Sequence, residues 1–236
     1  MTQTGRGGPG LRRWARLGAA GALVGAATVF PLRGAGAEGV ASVRSVVAKA
    51  SAQGVRAVYT IPDYVVVSQI FDGGGPVTQA EADSTGRATS FASLPYPGEN
   101  AIAAPGVLSV GLGRSVPVSY PFYVQADHPT APEATLSDPT GSYALKATAA
   151  DGTAAATGAL QGPAPENRDH LTGTRSASSA VLDDGGTVRT LAESVTTGLS
   201  LGGGALRIAS VTTRSETVLR PEDPKPVTTT ALLIEG

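Results

Sequence analysis

The stretch Thr187 to Thr217 leaves this chain few folds to choose from. It holds two runs, Thr187–Thr197 and Ala205–Thr217, rich in Thr, Val and Ser and separated by Gly198 and by Gly202-Gly203-Gly204. β-branched side chains crowd a helical backbone and pack well on a pleated one. No capping residue is followed by apolar residues at helical spacing. The runs therefore read as two long strands, and the glycines as turn or bulge positions at positive φ. A phosphate-cradling role for those glycines would need a following helix, and none is signalled. In the first strand Leu191, Val195, Leu199 and Leu201 share a parity with Arg189 and Glu193, so the alternation is mixed. In the second, Leu206 and Ile208 fall on one parity and Val211 on the other, which predicts a bulge or a twist between Ala209 and Val211.

The same grammar runs through the rest of the chain. Ser142–Ala149 and Thr153–Ala159 flank Asp151-Gly152, a pair that supplies the positive φ of a tight hairpin. Thr174–Leu182 reads as a strand, turned by Asp183-Asp184-Gly185-Gly186 into the long pair. Upstream, Ala41–Ala52 continues as an extended run into a strand at Val55–Thr60. A break follows at Ile61-Pro62-Asp63, and then a strand over Tyr64–Phe71. Asp72-Gly73-Gly74-Gly75-Pro76 is expected to be a turn rather than a calcium loop, since the alternating oxygens and closing Glu are missing. One helical turn is expected over Val77–Asp83, a turn at Asp83–Gly86, and short strands at Arg87–Ala92 and Val107–Leu112. A polar turn at Arg220–Pro226 precedes a last strand, Val227–Glu235. About 9 to 11 antiparallel strands result. Their spacing predicts an all-β antiparallel sandwich or a large curved, partly open barrel-like sheet. No crossover helices are signalled, which excludes a doubly wound α/β fold.

Residues 1–37 are set apart by charge: they carry five Arg and no Asp or Glu. A basic leader, an apolar run Leu17–Leu32 and the small residues Ala35 and Ala37 form the pattern of a secretory signal peptide. Cleavage after Ala37 is expected, giving a mature all-β domain over 38–236. A retained amino-terminal anchor is the competing reading, and the apolar run is short for a membrane span. Arg12-Arg13 is similar to a twin-arginine signal but lacks its apolar continuation, so general secretion is expected. Removing the leader leaves 13 basic against 19 acidic residues, about six net negative charges. That charge argues against nucleic acid and against adhesion to anionic lipid. No later segment is long enough to span a membrane. With no Cys in the chain, disulfides, thiolate nucleophiles and cysteine metal sites are excluded.

The residues that could make contacts are few. Tyr96 stands between two prolines in Ser93–Gly106, where an ordered loop competes with a recognition loop presenting Tyr96 and Glu99. Tyr120, Phe122 and Tyr123 form a local core plug or line a groove for an apolar or glycan ligand, with Asp127 and His128 beside them. His128 and His170 are the only histidines. No G-x-S-x-G elbow or H-E-x-x-H motif accompanies them, so no catalytic residue, metal ligand or cofactor is assigned. The function expected is that of an exported structural or protein-interaction module of the cell exterior, secreted or cell-surface and non-catalytic. It would bind a protein partner or its own copies. A carrier holding an apolar small molecule against a curved sheet is the alternative, and a hydrolase with an unrecognised site the third reading.

Overall fold

The computed structural model describes residues 28–31, 45–60, 69–94, 109–111, 113, 122–165 and 168–236. Among them are twelve strands: β1 (Thr28–Pro31), β2 (Val46–Thr60), β3 (Gln69–Asp83), β4 (Ala88–Leu94), β5 (Phe122–His128), β6 (Glu133–Ser137), β7 (Tyr143–Ala150), β8 (Thr153–Gln161), β9 (Gly173–Leu182), β10 (Val188–Leu201), β11 (Leu206–Arg220) and β12 (Asp223–Glu235). They form two antiparallel sheets, one of five strands in the order β1-β2-β3-β4-β5 and one of seven in the order β12-β11-β10-β9-β8-β7-β6. Every hydrogen-bonded neighbour is also the neighbour in sequence, so each sheet is a meander. The chain passes between sheets at the end of β5, where Asp127 and Ala131 exchange backbone hydrogen bonds of 2.8 and 2.7 Å. The first sheet lies over β6–β10, with β3 against β8 and β9, β2 against β9 and β10, and β5 against β6 and β7. This is the expected sandwich. Of the expected leader, Thr28–Pro31 pairs with Val46–Lys49 as β1.

The interior is built of small side chains. β2 turns Ala48, Ala50 and Ala52 inward, β4 turns Ala88, Ser90, Ala92 and Leu94, and β10 turns Val188, Thr190, Ala192, Ser194 and Thr196. Leu191 and Val195 lie on the opposite, half-buried face of β10. The inward parity is thus the one with the smaller residues, because the sheets approach too closely for a Leu stripe. Buried hydroxyls bridge the gap: Ser176 Oγ donates to the carbonyl of Pro76 at 2.9 Å. Thr196 Oγ1 donates to Gly54 at 3.1 Å, and Ser90 Oγ to Thr148 at 2.9 Å. Thr190 Oγ1 has no hydrogen-bond partner among the described residues. Leaving a buried hydroxyl unpaired costs about 1 to 3 kcal/mol, so Thr190→Val is expected to raise stability by about 1 kcal/mol in urea denaturation. A fall of that size would show that the hydroxyl is bonded.

Several local expectations are corrected. Asp72–Pro76 is not a turn but the middle of β3, and Gly73 to Pro76 are buried. Gly73, Gly74 and Gly75 pair with Ala57, Arg56 and Val55. A side chain at Gly74 would run into that of Gln53 and come within 2.6 Å of the Val55 carbonyl, so the glycines serve close approach. Pro76 sits just outside the β3–β4 ladder, which begins at Val77 and Ser93, so its missing N–H breaks no bond there. Val77–Asp83 is strand rather than helical turn, and Ser109–Gly111 is helical rather than strand. β10 runs on through Gly198 (φ 59°) to Leu201. The β10–β11 register is continuous, with Thr197 opposite Ser210 and Thr196 opposite Val211, so no bulge falls at Ala209–Val211; the shift lies between β11 and β12, at Val218–Arg220. The polar turn near Pro221 is also shorter than expected, because β12 begins at Asp223. Turns at 83–86, 151–152, 183–186 and 202–204 fall where the sequence predicts them. In the first, burial works to raise the Asp83 pKa, but hydrogen bonds from Thr85 and the Arg87 backbone outweigh it and hold the carboxyl below its ordinary value. The break at Ile61–Asp63 and most of Tyr64–Phe71 lie outside the described residues.

Candidate functional site

The seven-stranded sheet overhangs its partner, and the overhang is where surface chemistry concentrates. β11 turns Thr213, Ser215, Thr217 and Leu219 inward. Opposite Thr213, Ser215 and Thr217 stand Leu232, Thr230 and Thr228 of β12. The hydroxyls of Thr217 and Thr228 lie 2.8 Å apart. The even-numbered residues of β12 therefore belong to the inner face. Among the described residues the first sheet meets this end chiefly through β2 on β10, with a slight contact of β1 on β11. All residues of β12 whose side chains are described are exposed. Val227, Leu232, Leu233 and Ile234 are 54, 65, 55 and 58% exposed.

The direction of the free backbone groups follows from bonds further in. Asp183 N–H donates to Thr187 at 3.0 Å, which points the odd residues of β10 at β9. Antiparallel ladders alternate. Even residues of β10 then bond β11, even residues of β11 bond β12, and odd residues of β12 bond β11. Thr228, Thr230, Leu232 and Ile234 are left with N–H and C=O groups on the outer edge. Pro226 shares that parity, so its missing donor is on the free side, the place an edge strand tolerates proline. Most edges are blunted by charge, proline or brevity. Here Pro224, Lys225 and Pro226 blunt one half of β12, and Val227–Ile234 carries neither charge nor proline. Such an edge can extend its ladder with another strand.

The aromatic group near β5 is divided by strand alternation. Phe122 has the inner parity of Val124 and Ala126 and stacks on Tyr143 of β7, ring centres 4.3 Å apart. Tyr123 points to the other face, 6.2 Å from Phe91. There it joins a polar ladder in which its hydroxyl meets Gln125 Oε1. Gln125 Nε2 then donates to Asp127 Oδ2 at 2.8 Å, and Thr89 Oγ1 to Asp127 Oδ1 at 3.0 Å. Tyr123 and Asp127 are thus on one surface, Phe122 closes the sandwich, and His128 is half-buried at the crossover. Tyr96, Glu99, Tyr120, Ala35 and Ala37 lie outside the described residues.

His170 borders an open groove of about 580 Å³ beside the β10–β11 turn, with Thr172, Ser200, Arg207, Ile208 and Gly236. Its Nδ1 is 2.8 Å from the Arg168 carbonyl. Its backbone bonds Ser200, and Asp169 Oδ1 accepts the Gly203 N–H at 3.0 Å. These bonds hold the glycine turn in place. Among the described residues no group of three or more His, Asp or Glu side chains is placed to hold a metal ion. No helix among them is long and apolar enough to cross a membrane. Comparison with protein-family models, curated proteins and solved structures finds no match to this chain.

The sequence reading identified Val227–Glu235 as the last strand but gave it no role. The signal was present: prolines on one side of an uncharged, β-prone run are the mark of an edge only half protected.

Proposed function

We propose that the chain is an exported, non-catalytic interaction module of the cell exterior that binds by adding a strand along β12. The observation that carries this reading is the edge itself, a strand exposed along its length with four apolar side chains in solvent. Main-chain bonds along such an edge supply affinity, and alternate side chains supply selectivity. Export is supported by the basic, apolar and small-residue organisation of residues 1–37. The carrier reading gains less, since hydroxyl-to-carbonyl contacts close the space between the sheets at Gly54, Pro76 and Thr148.

Two measurements test this. The protein recovered from the medium or envelope of the cells that export it should begin at Glu38 by intact mass. A photo-crosslinking phenylalanine in place of Leu233 should yield adducts in those cells, and the same probe at Asp184, in the turn between β9 and β10, should not. A cytoplasmic full-length chain would refute export. Equal yields from the two probes would refute β12 as the contact surface.

A further inference from the structure

Resting on that reading of β12, we infer that the strand it accepts is β12 of a second copy of this chain, paired antiparallel about a two-fold axis. The argument starts from the free backbone groups. Outward N–H and C=O groups belong to even residues, so an added antiparallel strand must also offer its own alternate residues in step. Two copies of β12 meet this condition in any register that sets even residues opposite even ones, and one-residue slips are forbidden.

Charge chooses among the permitted registers. The strand has Asp223 and Lys225 near one end and Glu235 at the other. The register that places Thr230 opposite itself brings Lys225 of each copy alongside Glu235 of the other, forming two ion pairs. A two-residue shift one way sets Asp223 against Glu235, two like charges. A shift the other way moves Glu235 to Val227 and separates the pair. In the favoured register Thr228 faces Leu232 of the second copy. Leu232 and Ile234, 65 and 58% exposed, then acquire inner-face neighbours from the added strand. Glu235 is already steadied by Ser210 Oγ, which donates to Oε2 at 2.6 Å. A two-fold contact of this kind is self-limiting: it consumes the free edge of each copy and closes as a dimer.

The absence of cysteine from the chain makes the register directly readable. Thr230→Cys places a single thiol at the two-fold axis. In the purified exported protein it is expected to give a covalent dimer with a short bismaleimide. Thr228→Cys alone should not, whereas a mixture of Thr228→Cys and Leu232→Cys chains should. Light scattering on the unmodified protein should show a dimer that dissociates on dilution. Lys225→Glu should weaken it about five- to ten-fold. Adding Glu235→Lys should restore it, a rescue that loss of folding cannot imitate. A monomer at all concentrations, or equal crosslinking of Thr230→Cys and Thr228→Cys, would overturn the inference. If the protein is monomeric while the Leu233 probe still captures a different protein, self-pairing fails and strand addition at β12 stands.

Discussion

Gly54→Val is expected to lower the unfolding free energy by about 3 kcal/mol, because it forces side-chain volume into the tightest contact between the sheets. Gly54 is buried in β2, and a Cβ there would fall inside contact distance of Thr174 Oγ1 and within 2.9 Å of Pro76 Cδ and 3.2 Å of the Gly75 carbonyl. Thr174 is held in turn by Thr196, whose hydroxyl lies 3.3 Å from its own and donates to the Gly54 carbonyl. No rotamer of valine avoids all three obstacles, and two of them are ring and backbone atoms that cannot swing away. Gly54→Ala should cost less. Thr174→Ala in its background should recover part of that loss, since only the hydroxyl obstacle is removed. Urea denaturation of the four members of this cycle measures the coupling. A Gly54→Val protein within about 0.5 kcal/mol of the parent would show that the sheets stand further apart at this point.

The second large effect lies on the other side of Pro76, which borders both Gly54 and Gly158. Leu145 of β7 is one of few large side chains in an interior otherwise made of Ala, Ser and Thr, and it is 2% exposed. It fills the space beside Gly158, whose own Cβ would approach Leu145 Cδ2 to 3.3 Å. Leu145→Ala is expected to cost about 3 kcal/mol with an unchanged denaturant slope. Gly158, opposite on β8, and Ala147, two residues along β7, have no length with which to reach into the hole, which leaves Leu136, opposite on β6, to move toward it. A loss below about 1 kcal/mol would mean that the sheets shift to fill the gap.

The two positions also mark what the sequence discloses and what it hides. Hairpins at Asp151-Gly152 and Asp183–Gly186 are legible because a local backbone requirement, positive φ, selects the residue type. The glycines of β3 are chosen for a tertiary reason, the approach of Gln53 and the Val55 carbonyl, and a local reading mistakes them for a turn. The parity of β10 was concealed similarly. Leu191 and Val195 share the half-buried face, while the buried face holds Thr190, Ala192 and Ser194 beside Val188, so that volume counts there as well as hydropathy. At the surface, the shared face of Tyr123 and Asp127 follows from their even spacing, and an odd spacing separates Phe122 from both. At β12 the prolines give only a local hint of an edge. A strand becomes an edge only through the order of strands in its sheet.

That order has a bearing on how the chain takes shape. Both sheets are meanders, so each new strand pairs with the strand that precedes it in the sequence. A polypeptide delivered through a narrow channel from its amino end could add one hairpin at a time. In a chain that begins at Glu38, the sheet of β2 to β5 would be complete when the chain reaches His128, and β6 onward could then be laid across it as a template. Most pairs close over a short connection, the longest being that of β4 with β5 across residues 95–121, which keeps most loop-closure costs low. Of the twelve strands β12 is the last to arrive, and it pairs with the strand laid down just before it.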